Sequence, residues 1–256
     1  MISVSLFSQP ALNGIKVMLN IFNDKLELAT AFSENLFQLS NEKEKLFIAL
    51  SGGSTPEFIF QFLAKEYSSK IDWSRVHLFW GDERCVPPDD DDSNFGMTRK
   101  HLLSHIDIPE ENIHRIKGEN DPAVEADRYS KEIKNKVPSK NSFPAFDLVM
   151  LGIGEDGHTA SIFPDQMKLL KSDKICEVAV QQSSSQKRIT LTGRVINNAE
   201  RIIFLVTGKK KAGIIREIME GGPIKKEKYP AANINPVNGT INYFMDSEAA
   251  ELLTII

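Results

Sequence analysis

Leu28, Phe32, Leu36 and Leu39 recur near the helical period, and the spacing predicts an amphipathic helix over residues 23 to 40, capped by Asn23 or Asp24. Residues 46 to 50, "LFIAL", then form a short, wholly apolar run that reads as a buried strand. The helical pattern returns in "EFIFQFLAKEYSSK". A second buried strand, "RVHLFWGDE", ends in charge, and a polar loop, "PPDDDDSN", leads to a predicted helix, "FGMTRKHLLSHI". Residues 121 to 136 predict another helix, with Asp121 as cap and Pro122 in the first position. "FDLVMLGIG" is a strongly apolar strand running into glycines. "CEVAV", "KRITLT" and "RIIFLVTG" read as three more strands, "KKKAGIIREIME" as a helix, and "GTINYFMDSEAAELL" as a strand with a closing helix. The first 20 residues carry no clear pattern.

Strands alternate with helices, and several strands are apolar throughout. That combination predicts an α/β fold with a mostly parallel sheet covered on both faces. No internal repeat interrupts it, and the Pro- and Asp-rich stretches are only loop-length, so residues 1–256 are read as a single α/β domain.

Composition narrows the function classes. Of the 256 residues, 41% are hydrophobic and 26% charged, the balance of an ordinary soluble protein. A net charge of −4 argues against nucleic acid as a partner, and the positive charge gathers in one short run, "GKKKAG". Cys85 and Cys176 lack metal-ligand spacing and read as packed thiols in a reducing, cytoplasmic setting. "MISVSLFSQP" lacks the basic start and apolar core of a signal peptide. No stretch approaches the roughly 20 apolar residues of a membrane span.

Ligands of open parallel sheets bind beyond the carboxyl ends of the strands. Four polar clusters fall at such predicted ends: "SGGSTP" at 51–56, "GDER" at 81–84, "GEDGHTAS" at 154–161 and "TGKKKA" at 207–212. In the first, glycines permit close backbone approach, Thr55 is positioned to cap the following helix, and Pro56 suits its first position. A helix start there offers amides and partial positive charge to an anion, although the spacing is neither that of a P-loop nor G-x-G-x-x-G. A plain strand-to-helix turn is the alternative. In "GDER", Arg84 can grip a phosphate and Asp82 can accept from hydroxyls, or the cluster is a salt-bridged surface turn. Asp89 to Asp92 read as a solvated, self-repelling, mobile loop. His158, among glycines with Asp156 two residues before it, is the candidate proton carrier. His77, His101, His105 and His114 have no comparable setting, and His101 and His105 read as surface residues. One lysine of "TGKKKA" could contact an anion, since a basic helix start is otherwise slightly unfavourable.

Taken together, "SGGSTP", "WGDERCVP" followed by Ser93-Asn94, "LGIGEDGHTASIFP", "RITLT" and "TGKKKA" resemble the 6-phosphogluconolactonase family, in order from about residue 46 to the C-terminal "FMDSEAAELL". The resemblance implies a Rossmann-like, doubly wound sheet and a metal-free, cofactor-free enzyme. It would hydrolyse 6-phospho-D-glucono-1,5-lactone to 6-phospho-D-gluconate in the oxidative pentose phosphate pathway. It also implies roles. His158 is the general base and Asp156 orients or stabilises its imidazolium. Arg84 and Lys211 are phosphate ligands, Lys211 being preferred to Lys209 and Lys210 because the family pattern is TG-x-x-KA. Gly52, Gly53, Ser54 and Thr55 cradle the substrate and Asp82 holds its hydroxyls, while Arg188 is either a substrate ligand or structural. Backbone amides of the glycine turns would receive the oxyanion. The partner is then a small phosphosugar lactone, with a monomer expected.

Two rivals remain. Glucosamine-6-phosphate deaminases share the fold and a DGH turn, but that family resembles G-x-D-G-H-I-A-F-N-E-P, whose Glu completes the proton relay. Here Ile162, Phe163 and Pro164 follow instead. A sugar-phosphate-binding protein without turnover would keep the anion cradle and have no need of His158.

Overall fold

A computed structural model describes residues 7–10, 16–223 and 227–254. Part of the N-terminal segment read above for signal-peptide character, residues 1–6, lies outside them. The strands in chain order are β1 (Phe7–Pro10), β2 (Lys16–Phe22), β3 (Leu46–Leu50), β4 (Val76–Trp80), β5 (Asp82–Arg84), β6 (Ile113–His114) and the hairpin β7 (Ser139–Lys140) and β8 (Phe143–Pro144). They continue with β9 (Leu148–Leu151), β10 (Cys176–Gln181), β11 (Gln186–Leu191), β12 (Arg201–Val206) and β13 (Thr240–Asp246). The helices are α1 (Lys25–Glu42), α2 (Ser54–Glu66), α3 (Asn94–His101), α4 (Pro122–Lys136), the single turn α5 (Gly193–Ile196) and α6 (Ala212–Glu220).

The main sheet runs β1-β2-β13-β12-β9-β3-β4-β6, and every neighbouring pair is parallel except β1 with β2. From β3 the chain winds outward through β4 to β6. It then returns to the other side of β3 as β9 and winds outward through β12 to β13. Strand order therefore reverses between β3 and β9, which makes their carboxyl ends the crevice of a doubly wound sheet. The residues of β3, β4 and β9 are all buried, as strands covered on both faces must be.

Local signals act as their chemistry predicts at the starts of α1 and α4. Asp24 accepts from the amides of Leu26 and Glu27, while Glu27 accepts from the Asn23 amide at 3.0 Å, closing a reciprocal cap. Asp121 caps α4 through the amides of Ala123 and Val124, with Pro122 in the first turn. Leu28, Phe32, Leu36 and Leu39 of α1 are buried in one contiguous apolar cluster with the strands.

Several expectations are corrected. "CEVAV" and "KRITLT" do not join the parallel sheet. They form an antiparallel hairpin, β10–β11, to which β5 adds in the order β10-β11-β5. Parallel neighbours need a crossover of about a dozen residues, and the link between these strands is far shorter. "RVHLFWGDE" is likewise two strands, broken at Gly81, with "DER" in the second sheet. The helix predicted from "FGMTRKHLLSHI" is α3 followed by a separate 3₁₀ turn, Leu103–His105. The closing helix is one turn, Ser247–Ala250. Strand β2 lies partly within the opening stretch that carried no pattern, and its pairing with β13 supplies the order that its sequence lacks. No helix among the described residues is long and apolar enough to cross a membrane.

Candidate active site

A cleft of about 230 Å³ opens where β3, β4, β9 and β12 end. Gly52, Gly53, Ser54, Thr55, Asp82, Arg84, His158, Arg188 and Lys211 all line it. Asp156 does not, but stands behind His158. The Asp156 carboxylate and His158 Nδ1 are 2.6 Å apart, and the His158 amide donates to the same oxygen at 3.1 Å. This pairing assigns the proton of the neutral ring to Nδ1 and leaves Nε2 as the basic nitrogen. Burial alone would raise the Asp156 carboxyl; the hydrogen bonds and charge of His158 outweigh it and hold it below its ordinary value.

Backbone geometry makes the dyad possible. Gly154 accepts no side chain, because a Cβ there would lie 2.1 Å from His158 Nδ1 and 2.5 Å from the Asp156 carboxylate. The Gly154 amide donates to the His158 carbonyl and the Gly157 amide to the Gly154 carbonyl, each at 2.9 Å. Both amides are thus consumed in closing the turn. Of the glycine-turn amides expected to receive an oxyanion, these two are already bonded.

The first cluster is a socket as well as a turn. Gly53, at φ 100°, is the cap of α2 and supplies no side-chain cap, so the helix begins at Ser54. Thr55 is therefore not the cap. Its hydroxyl instead pairs with that of Thr207 at 2.7 Å, bridging the turns after β3 and β12. Pro56 lies deeper in the first turn than expected. The Ser54 and Thr55 amides have no intrahelical acceptor and meet the cleft with the positive end of the helix dipole.

Arg84 and Arg188 face each other directly across the β5–β11 ladder. Like charges in such a pair destabilise a sheet. Each guanidinium keeps a buried Nε with no hydrogen-bond partner. Arg188 is 8% exposed, held by Gln181, and both burial and Arg84 push its guanidinium down from its ordinary value. Arg84 donates to the Asp92 carbonyl, and Gln186 donates to the Asp92 carboxylate at 3.1 Å. The acidic stretch is consequently exposed, as expected, yet tied down as a hydrogen-bonded turn rather than loose. Glu83 is buried beneath it and accepts from the Asn94 and Phe95 amides at 2.8 and 2.7 Å, holding the start of α3.

Among the three lysines, Lys209 pairs with Glu251 at 3.2 Å, whereas Lys211 lines the cleft. Burial pushes the Lys211 ammonium down, and Glu155 and Asp156 draw it back up. Asp82 is buried; one carboxylate oxygen accepts from Ser161 Oγ at 2.6 Å. Asn94 and Thr207 are among the lining residues that the sequence reading did not name as site residues. Asn94 donates to the Asp82 carbonyl at 2.9 Å and occupies the space that a Cβ on Gly52 would need. Thr207 was visible only as the first letter of "TGKKKA".

The cysteines behave as packed thiols: burial pushes Cys85 up to about 11 and Cys176 up to about 12. His101 is bonded to Glu57 and Gln61.

Fold and site together define an α/β protein with a cationic cleft at its switch point and an imidazole at one wall. Comparison with known proteins narrows this further. The model of the glucosamine-6-phosphate isomerase/6-phosphogluconolactonase family matches residues 25–243. A 6-phosphogluconolactonase of Haemophilus influenzae is 44% identical over 207 residues, 80% of this chain and 87% of the relative. A human 6-phosphogluconolactonase is 33% identical over 250 residues, 93% of this chain and 94% of the relative. The solved 6-phosphogluconolactonase of Trypanosoma brucei superposes with a TM-score of 0.82 at 28% identity, covering 94% of this chain and 100% of that one. The chain belongs to the glucosamine-6-phosphate isomerase/6-phosphogluconolactonase family.

Proposed function

We propose that the chain hydrolyses 6-phospho-D-glucono-1,5-lactone to 6-phospho-D-gluconate, the second step of the oxidative pentose phosphate pathway. The observation that carries this reading is the composition of the cleft. A chain of net charge −4 gathers Arg84, Arg188 and Lys211 around one carboxylate, Asp82, and sets a carboxylate-backed imidazole in the same wall.

The substrate phosphate sits among Arg84, Arg188 and Lys211 and the uncapped start of α2. The orphaned Nε groups of the two arginines support this assignment, since buried donors without acceptors are rare unless a ligand supplies them. Asp82, with one oxygen occupied by Ser161, offers the other to sugar hydroxyls. The Phe163 ring relates the two ends of the site: its centroid is 5.0 Å from that of His158 and 5.6 Å from the Arg188 guanidinium carbon. Base and cation are separated by no more than the two distances combined, a span suited to one phosphorylated hexose and an attacking water.

His158 Nε2 takes a proton from that water as its oxygen bonds to the lactone carbonyl carbon. Asp156 holds the Nδ1 proton and stabilises the imidazolium. The tetrahedral intermediate collapses as the ring C–O bond breaks, and the imidazolium returns its proton to the departing ring oxygen. Such general-base help is worth roughly 10²–10⁴-fold, enough for an already activated ester. The phosphate is remote from the reacting carbon, so its binding serves to orient the ring. The acting form in this reading is a monomer in the cytoplasm.

The deciding measurement is acid release from freshly generated 6-phosphogluconolactone, read against the protein-free rate, with glucosamine 6-phosphate as control. Hydrolysis above background with no deamination supports the proposal. Deamination, or phosphosugar binding without turnover, would replace it with one of its rivals.

A further inference from the structure

The turn between Gly154 and Thr159 is closed largely by its own bonds, including Thr159 Oγ1 to the Gly152 carbonyl at 2.9 Å. What ties it to the rest of the molecule on its outer side is the strap that follows α6. The Ala231 amide donates to the Gly157 carbonyl at 3.1 Å. The Tyr229 ring lies against Gly157 so closely that a Cβ there would fall 2.4 Å from Cδ1 of the ring. Gly157 itself sits at φ 80°. At its far end the Tyr229 hydroxyl donates to Glu217 of α6. The Tyr229 carbonyl accepts from the Ala232 amide at 3.0 Å and from Asn233 at 2.9 Å, so the strap is itself folded. Gly157 is the residue between Asp156 and His158, and any shift of it moves both members of the dyad.

We propose that Tyr229 is a positioning residue for the reaction: its ring braces the Asp156–His158 turn from outside, and Glu217 anchors that brace to α6. The proposal rests on the reading of His158 as the proton acceptor. It deepens that reading by naming what holds the imidazole in register. Near-attack geometry is unforgiving, a misplacement of about 1 Å costing up to about 10²-fold in rate. Two of the three cations proposed to hold the phosphate, Arg84 and Arg188, lie on β5 and β11, outside the segments that the brace touches, while Lys211 caps α6; substrate affinity and rate should therefore largely separate.

The test uses the full chain with Tyr229→Ala, Tyr229→Phe, Glu217→Gln and the Tyr229→Phe/Glu217→Gln double variant, with His158→Ala as reference. Tyr229→Ala should lower kcat about 10- to 30-fold while KM, and the inhibition constant of 6-phosphogluconate, stay within about twofold. Tyr229→Phe keeps the ring on Gly157 and should restore kcat to within about threefold of the parent, matched by Glu217→Gln, with the double variant no worse than either single change. A kcat for Tyr229→Ala within twofold of the parent, or a KM that rises in step with the loss, overturns the brace. If Tyr229→Ala does not fold, the conservative pair decides, because independent additive effects there overturn the coupling. Should His158→Ala retain the parental rate, the assignment of His158 falls whatever Tyr229 shows. Should His158→Ala be inactive and Tyr229→Ala fully active, only the brace falls.

Discussion

Among the described residues, two histidines have Nδ1 paired with a carboxylate, and one of these two stands in a cleft. His158 meets Asp156 at 2.6 Å with its side chain 26% exposed. His114 meets Glu132 at 2.9 Å with its side chain 3% exposed. His114 lies beneath the rings of Phe79 and His77, and the His77 Nδ1 contacts its remaining nitrogen at 3.2 Å. In the second array both ring nitrogens of buried His114 are taken; the first has a nitrogen to spare beside a cationic pocket. A carboxylate-held imidazole is therefore no site by itself. What differs is whether the basic nitrogen faces another protein group or a space that a substrate can fill.

The comparison can be broken most decisively by removing each ring. His158→Ala should cost about 10²–10⁴-fold in kcat while phosphosugar affinity changes only a few-fold. His114→Ala should leave turnover within about twofold but destabilise the fold by about 1–3 kcal/mol, read by denaturant melts. Equal effects of the two changes on turnover would refute the distinction.

The paired arginines come next. Arg188→Met should raise KM by about 10-fold or more for the phosphorylated lactone, because one of the phosphate's guanidinium partners is lost. Stability should hold or rise by about 0.2–1 kcal/mol, since like charges no longer face each other across the strands. A large loss of stability with KM intact would make the residue structural.

The smallest effect concerns pH. Burial, and then the charge of His114, push His77 down from 6.5 to about 4. Lys45 and Lys136 push the same way and Glu111 opposes them. The ring is neutral in both states above about pH 6.5, so stability is unaffected there. Between pH 6.5 and 4 the unfolded chain takes up a proton that the folded chain refuses, so stability falls as the medium acidifies. The loss should be about 1–2 kcal/mol and should shrink in His77→Phe. A melting profile with the same acid slope in both proteins would contradict it.

Strands β3, β4, β9 and β12 of the main sheet were legible because they are short and almost wholly apolar, a pattern that few other elements share. The Asp24 and Asp121 caps were legible for the same local reason. The small sheet was not, because burial of β11 on the core mimics a parallel strand and only the brevity of its link to β10 betrays the hairpin. Within the site, His158 and Arg84 stood out through glycine turns and charge at strand ends, whereas Lys211 was separated from Lys209 and Lys210 only by the family resemblance. Thr55 was visible but misread: a glycine with positive φ can end a strand and open a helix alone, which frees the hydroxyl for Thr207. Asn94 was visible as part of a motif but not as a lining residue, since its contact with Gly52 joins segments far apart in sequence. The His77–His114 array was hidden in the same way, each ring looking like a stray polar residue in an apolar strand.

Gly81 separates β4 from β5 by one residue, and that residue belongs to both sheets. Its amide donates to the Leu50 carbonyl and its carbonyl accepts from the Leu191 amide, each at 2.8 Å. It works as a rivet through the floor of the binding crevice. The large sheet carrying the imidazole and the small sheet carrying the two guanidinium groups are thereby fastened at the point where a hinge would otherwise form. The two walls of the cleft thus share a joint at their base, and Gly81 is a residue through which a displacement of either sheet would reach the other.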